Sequence, residues 1–380
     1  MIKALTVFGT RPEAIKLAPL VKRLERDARF TCVTCITSQH REMLDQVLGV
    51  FELVPHYDLG LMSPGQSLVD VTAKVIQKVS EVVEAERPSI VLVQGDTTTT
   101  FAASLAAFYQ RIPIGHIEAG LRTANKYQPF PEEINRRLTT VLADYHYAPT
   151  EISRQNLLRE GIDDRRILVT GNTGIDALLH TLDRVRQDGG IADLLAHRVP
   201  DVNGERLILV TAHRRESFGA PFEAICDALR QIAERNPNVT IVYPVHLNPN
   251  VQRPVLERLA GRPRIHLLEP LDYPSFVRMM DRAHLILTDS GGIQEEAPAL
   301  GKPVLVMRNT TERPEAVEAG SARLIGTRTE TITSAVQDLL DNVEAYEQMS
   351  RARNPFGDGH ASERIASHIF EMLGDKNGSG

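Results

Sequence analysis

The chain has 380 residues, 42% of them hydrophobic, with 43 basic against 49 acidic side chains and a formal net charge of −6. That length exceeds what a single core usually serves, so two domains are expected, and the missing basic excess argues against a nucleic-acid binder. No run of about 18 apolar residues occurs and Met1-Ile2-Lys3 leads directly into a strand pattern, so no membrane span, no signal peptide and a cytoplasmic protein are expected.

The first half alternates short apolar strands with helical patterns. Strands are expected at Lys3 to Phe8, Phe30 to Thr37, Ile90 to Gln94, Pro113 to Ile117, Tyr145 to Ala148 and Ile167 to Val169. Pro12 suits a helix start, and Ile15, Leu20 and Leu24 keep helical spacing after it. Val71, Val75, Val79 and Val82 form a second helical stripe. Cys32 and Cys35 lie three apart on a strand, so they point to opposite faces and read as core residues. A soft region with Asp188-Gly189-Gly190 and Val199 to Gly204 follows. The alternation then restarts with strands at Leu207 to Thr211, Val239 to Tyr243, Ile265 to Leu268, Leu285 to Thr288 and Pro303 to Met307. Helices are expected at Phe222 to Arg235, Tyr273 to Ala283 and Ser362 to Leu373. The tail Gly374 to Gly380 reads as disordered. Alternation of this kind implies doubly wound parallel sheets.

Ligands of such sheets bind beyond the carboxyl ends of the strands. Two strands run into glycine turns that open helices: Phe8-Gly9-Thr10-Arg11-Pro12-Glu13 and Asp289-Ser290-Gly291-Gly292. Each reads as a cradle in which backbone N–H groups and a helix start hold an oxyanion. Other strand ends carry Gln94-Gly95-Asp96, His116-Ile117-Glu118, His213-Arg214-Arg215-Glu216 and Tyr243-Pro244-Val245-His246. A later loop leads to Pro131-Glu132-Glu133. The first domain thus offers carboxylates and an arginine, the second histidine, arginines and a glycine turn, which suits a phosphorylated sugar.

Each residue also has a plainer reading. Asp96 could cap the helix that starts in Thr97 to Thr100. Glu132, Glu133, Glu295 and Glu296 could be first-turn charges, the preferred reading for Glu133. His116 is expected to face away from Glu118. His213 could be a satisfied structural histidine. No G-x-G-x-x-G follows the first strand and no G-x-x-x-x-G-K-[ST] occurs, so neither a nicotinamide site nor a P-loop is expected. No histidine–carboxylate spacing resembles a zinc site, and neither metal nor cofactor is expected.

Taken in order, Gly9-Thr10-Arg11-Pro12-Glu13, Gln39 to Asp45, Gln94-Gly95-Asp96-Thr97, His116 to Arg122, Pro131-Glu132-Glu133, Thr211 to Glu216, Asp289 to Glu296 and Asn354 to Gly359 resemble the non-hydrolysing UDP-N-acetylglucosamine 2-epimerases of bacteria. The resemblance spans nearly the whole chain. It implies an α/β, GT-B-like fold with two Rossmann-like domains around a cleft, residues 1–172 joined by a returning helix 357–375, and residues 173–356. It implies interconversion of UDP-N-acetylglucosamine and UDP-N-acetylmannosamine for envelope polysaccharide, a homodimer, and no nucleic-acid or membrane partner. It assigns Asp96, Glu118 and Glu132 to proton transfer at carbon 2, and His213 to the departing UDP. Arg11, Phe276, Ser290, Gly291, Gly292 and Glu296 would bind UDP. A second, activating nucleotide-sugar site would draw on Gln39, Gln66, Arg214 and His246, although Gly65 stands where some relatives place an arginine. The alternatives are a GT-B glycosyltransferase using a UDP-sugar donor and a hydrolysing epimerase.

Overall fold

The structure is a computed structural model that describes residues 1–38, 41–61, 65–123, 125–187 and 205–374. Gln39, the expected soft region at 188–190 and 199–204, and the tail beyond Gly374 lie outside the described residues. Two compact units form: Met1–Leu179 with Phe356–Gly380, and His180–Pro355.

In the first unit the strands are β1 (Ile2–Phe8), β2 (Phe30–Ile36), β3 (Tyr57–Asp58), β4 (Ile90–Gln94), β5 (Ile114–Ile117), β6 (Tyr145–Ala148) and β7 (Ile167–Val169). They form a parallel sheet in the order β3-β2-β1-β4-β5-β6-β7. In the second unit β8 (Arg206–Thr211), β9 (Val239–Pro244), β10 (Ile265–Leu268), β11 (Leu285–Thr288), β12 (Val304–Val306) and β13 (Ala322–Leu324) give the parallel order β10-β9-β8-β11-β12-β13. Both orders reverse direction beside their first strand. That places a switch point between β1 and β4 in one sheet and between β8 and β11 in the other, where a doubly wound fold leaves room for a ligand.

Helices cover both sheets because the strands are apolar on both faces. In the first unit Leu5, Val7, Val91 and Val93 pack against Val75, Val79, Ala102 and Ala106. In the second, Ile208, Val210 and Ile241 pack against Phe222, Ile225, Leu229 and Val336. Cys32, Cys35 and Cys226 are buried and free, and burial pushes each thiol up to about 12.

The division between the units falls inside the helix Thr173–Gln187, not before it at residue 172. The first turns of that helix belong to the first unit because the returning chain is tied there. The N–H of Asn172 donates to the carbonyl of Phe356 at 2.7 Å. The Asp176 carboxylate accepts from the N–H groups of Ala361 and Ser362 at 3.2 and 2.8 Å. It therefore caps the last helix, Ala361–Gly374, which packs against the helix Arg11–Glu25.

Candidate active site

The turn after β1 is not an open cradle. Thr10 caps the helix Arg11–Glu25, and Glu13 closes a capping box back onto it. Glu13 Oε2 accepts from the N–H groups of Gly9 and Thr10 at 3.0 and 2.8 Å, while Oε1 accepts from the hydroxyls of Thr97 and Thr100 at 2.6 and 3.0 Å. The carboxylate expected from outside is supplied by the chain itself. Glu13 is buried, and burial pushes its pKa up against the pull of hydrogen bonds from Thr97, Thr10 and Gly9. Gly9 is glycine for packing: a Cβ there would overlap the Thr37 hydroxyl and lie 2.7 Å from that of Thr99. Glu13 thus joins the loops after β1 and β4 and leaves Arg11 half-buried at the helix start.

Beyond β4 and β5 the expected carboxylates gather on separate supports. Asp96 pairs with Arg136 Nη2 at 2.5 Å, and its carbonyl accepts from the Asn135 side chain at 3.0 Å. Glu118 follows β5 with φ of 63°, a left-handed conformation uncommon outside glycine and one that recurs at functional sites. Its side chain is 7% exposed. Oε1 meets Lys16 Nζ at 2.5 Å, and Oε2 accepts from the Gln94 amide. Glu132 opens the helix Glu132–Leu142 and stays half-buried.

Glu133 stands in the first turn of that helix, as expected, and is tied in by more than the helix dipole. It is fully buried, accepts from Arg137 Nε at 2.8 Å and from the Thr123 N–H at 3.1 Å, and lies 3.3 Å from Arg136 Nη1. A charge so far from water needs such partners. Arg136 therefore spans Asp96 and Glu133. His116 faces away from solvent, with Nε2 2.7 Å from the Gly95 carbonyl. Burial lowers it to about 4, so the neutral ring donates from Nε2 to that carbonyl and steadies the peptide before Asp96.

In the second unit the switch point is also stitched by a carboxylate. Asp289 is buried, and its Oδ2 accepts from the N–H groups of His213 and Arg214 at 2.7 Å each. His213 stacks on His246, with ring centroids 5.2 Å apart and planes at 16°. Burial lowers the His213 pKa, Asp289 opposes that, and His246 and Arg214 add to it. Ser290 stands at the N-cap, and Gly291 and Gly292 open the short helix that follows. The Nη2 atoms of Arg214 and Arg313 lie 3.8 and 3.9 Å from where a Cβ on Gly291 would sit. Two guanidinium groups therefore stand beside this helix start, and that of Arg313 also pairs with Glu295. Glu296 ends the short helix Gly291–Glu296 and Phe276 lies on the helix Tyr273–Arg282, both half-buried.

Of the residues expected to form an activating site, Arg214 and His246 adjoin His213. Gln66 lies in the first unit, where its amide donates to the Leu61 carbonyl at 3.1 Å. In the first unit Lys16 and Arg136 pair with Glu118 and Asp96, and in the second Arg313 flanks Gly291, although sequence reading did not single them out. The capping box Thr10-x-x-Glu13 was readable; the partners of Glu118 and Asp96 carry no local signal. Among the described residues no group of three or more His, Cys, Asp or Glu side chains is placed to hold a metal ion.

The first unit gathers carboxylates beyond β4 and β5, and the second places two guanidinium groups beside Gly291. The family model described as UDP-N-acetylglucosamine 2-epimerase matches residues 22–370. The UDP-N-acetylglucosamine 2-epimerase of Salmonella typhimurium is 60% identical over 365 residues, covering 96% of this chain and 97% of that protein. The Escherichia coli K12 enzyme of the same name is 57% identical with the same coverage. The crystal structure of the Neisseria meningitidis UDP-GlcNAc 2-epimerase bound to UDP-GlcNAc matches with a TM-score of 0.89 at 51% identity, over 97% of this chain and all of that one. With a family model over most of its length and relatives that match almost all of it, the chain belongs to the UDP-N-acetylglucosamine 2-epimerase family.

Proposed function

We propose that the protein interconverts UDP-N-acetylglucosamine and UDP-N-acetylmannosamine without hydrolysing either. Carbon 2 of the sugar has no adjacent carbonyl, so direct deprotonation is prohibitive. Loss of UDP removes that obstacle. A carboxylate takes the carbon-2 proton, the C–H pair becomes the C1=C2 bond of 2-acetamidoglucal, and the C1–O pair leaves with the diphosphate. Return of a proton to the opposite face and re-addition of UDP at carbon 1 give the epimer. The route needs acid–base groups near carbon 2 and donors for the departing charge.

The observation that carries this reading is the set of carboxylates beyond β4 and β5, each braced by a cation or an amide. Asp96 is paired with Arg136, and Glu118 with Lys16 and Gln94. Asp96, Glu118 and Glu132 serve proton transfer; His213, Arg11 and the Ser290–Gly292 turn hold the diphosphate; Phe276 and Glu296 hold the nucleoside. Arg214, His246, Gln66 and Gln39 would serve a second nucleotide-sugar site. The product feeds envelope polysaccharide synthesis in the cytoplasm; among the described residues no helix is long and apolar enough to cross a membrane.

A homodimer fits the exposed apolar face formed by the helices Thr98–Tyr109 and Glu132–Leu142. There Phe108, Tyr109, Leu138 and Val141 are 54, 66, 42 and 79% exposed, a patch that favours burial against another chain. Sedimentation of the wild type against Val141→Asp tests this: a shift toward monomer is expected.

The function is tested by incubating UDP-N-acetylglucosamine with the protein and no acceptor, in deuterated water. The expected product is UDP-N-acetylmannosamine carrying deuterium at carbon 2. Release of free N-acetylmannosamine, or no exchange at carbon 2, overturns the proposal.

A further inference from the structure

The Asp289 carboxylate is only half satisfied. Oδ2 takes two backbone N–H groups, whereas the buried Oδ1 has no hydrogen-bond partner among the described residues. Oδ1 faces His213 Nδ1 across 3.7 Å. A ring shift of about 1 Å brings the pair to hydrogen-bond length. A buried acceptor left unpaired is costly, and burial among cations is unfavourable for an imidazolium. The other charged or titratable groups acting on this ring are His246, stacked on it, and Arg214. Both oppose its protonation, so Asp289 is the group in the second unit that favours it.

We propose that Asp289 is the positioning residue of His213: its Oδ1 receives Nδ1–H, fixes the ring, and stabilises the imidazolium whose Nε2–H is presented to the UDP phosphate as the C1–O bond breaks. This rests on the epimerase reading. The logic is that of a buried carboxylate behind a catalytic histidine. Two backbone bonds clamp the carboxylate, so it reaches the ring without an added cost of reorganisation.

The test compares full-length wild type, Asp289→Asn, His213→Gln and the double variant on UDP-N-acetylglucosamine. In Asp289→Asn the amide oxygen still accepts both backbone N–H groups, while its NH2 meets Nδ1 and makes that nitrogen an acceptor. The expected result is a kcat lower by about 10²-fold with little change in KM. Because imidazolium is lost as pH rises, the basic limb of the kcat profile moves to lower pH. The double variant is no slower than His213→Gln, since both remove one unit. A near wild-type kcat, an unmoved limb, or losses that multiply in the double variant overturn the proposal.

A second measurement does not depend on the variant folding or on turnover. With UDP bound to the wild type near neutral pH, ¹⁵N spectra read His213, assigned by its disappearance in His213→Gln. Both ring nitrogens are expected to be protonated, and an unprotonated Nδ1 overturns the proposal. A wild type that holds this imidazolium but does not convert the sugar sinks the epimerase reading instead.

Discussion

Lys16 Nζ lies 2.5 Å from Glu118 Oε1, joining a helix that follows β1 to the end of β5 across 102 residues. The Glu118 side chain is 7% exposed and that of Lys16 is 25% exposed, so the pair is shielded on the carboxylate side. Removing the cation strands a nearly buried charge. Lys16→Met is expected to cost about 3 kcal/mol of stability. In urea unfolding, Lys16→Met with Glu118→Gln should lose less than the two single losses combined. Strict additivity would show that the two charges do not depend on each other.

Glu13 makes a different prediction, because its work is structural. It accepts from four donors on two loops. Glu13→Gln keeps one acceptor oxygen and turns an NH2 toward groups that are themselves donors. A loss of about 2 kcal/mol is expected, seen as a lower melting temperature. Unchanged melting would mean that those contacts carry no net stability.

Much of this architecture is legible in the chain. β6, β7, β10 and β11 have the expected bounds, because short β-branched and apolar runs between turns admit few other assignments. β3 and β13 escape because they have two and three residues and no apolar run of their own. The site is half legible for a physical reason. Its strand-end residues are local in sequence, whereas Lys16 and Arg136 reach it from helices whose spacing reveals nothing about a partner far along the chain. The first glycine turn is the instructive error. Glycine, threonine and a helix start do suit an anion, but the glutamate three residues after Thr10 is the anion.

His116 and His146 are paired in register on β5 and β6 and are both buried. Burial lowers them from the ordinary 6.5 to about 4 and about 3. The unfolded chain therefore takes up protons first, and stability present above about pH 6.5 declines as pH falls toward those folded values. Each ring contributes on the order of 1 kcal/mol per pH unit over that window. Neither nitrogen of His146 has a partner among the described residues, so His146→Leu removes no hydrogen bond found there. It should flatten the acid-side slope of stability between about pH 6.5 and 4 without loss at neutral pH. An unchanged slope in acid titration of the variant would contradict the buried neutral state.

Adjacent glutamates separate chemistry from scaffolding. Glu133 is fully buried and held by Arg137, Arg136 and the Thr123 N–H, while Glu132 beside it is half-buried. Glu133→Gln should destabilise the fold by about 3 kcal/mol, because it leaves arginine charge uncompensated. Glu132→Gln and Asp96→Asn should melt close to the wild type yet lower kcat by about 10²-fold or more. The difference follows from where each carboxylate stands: Glu133 is wholly buried among its partners, whereas Glu132 is half-buried and Asp96 is 27% exposed beside Arg136. Proton-exchange rates at carbon 2 and melting curves, measured on the same preparations, distinguish the two roles. A Glu132→Gln enzyme with normal exchange would remove that residue from proton transfer. A Glu133→Gln enzyme that melts normally but cannot exchange the proton would assign the chemistry to the buried glutamate.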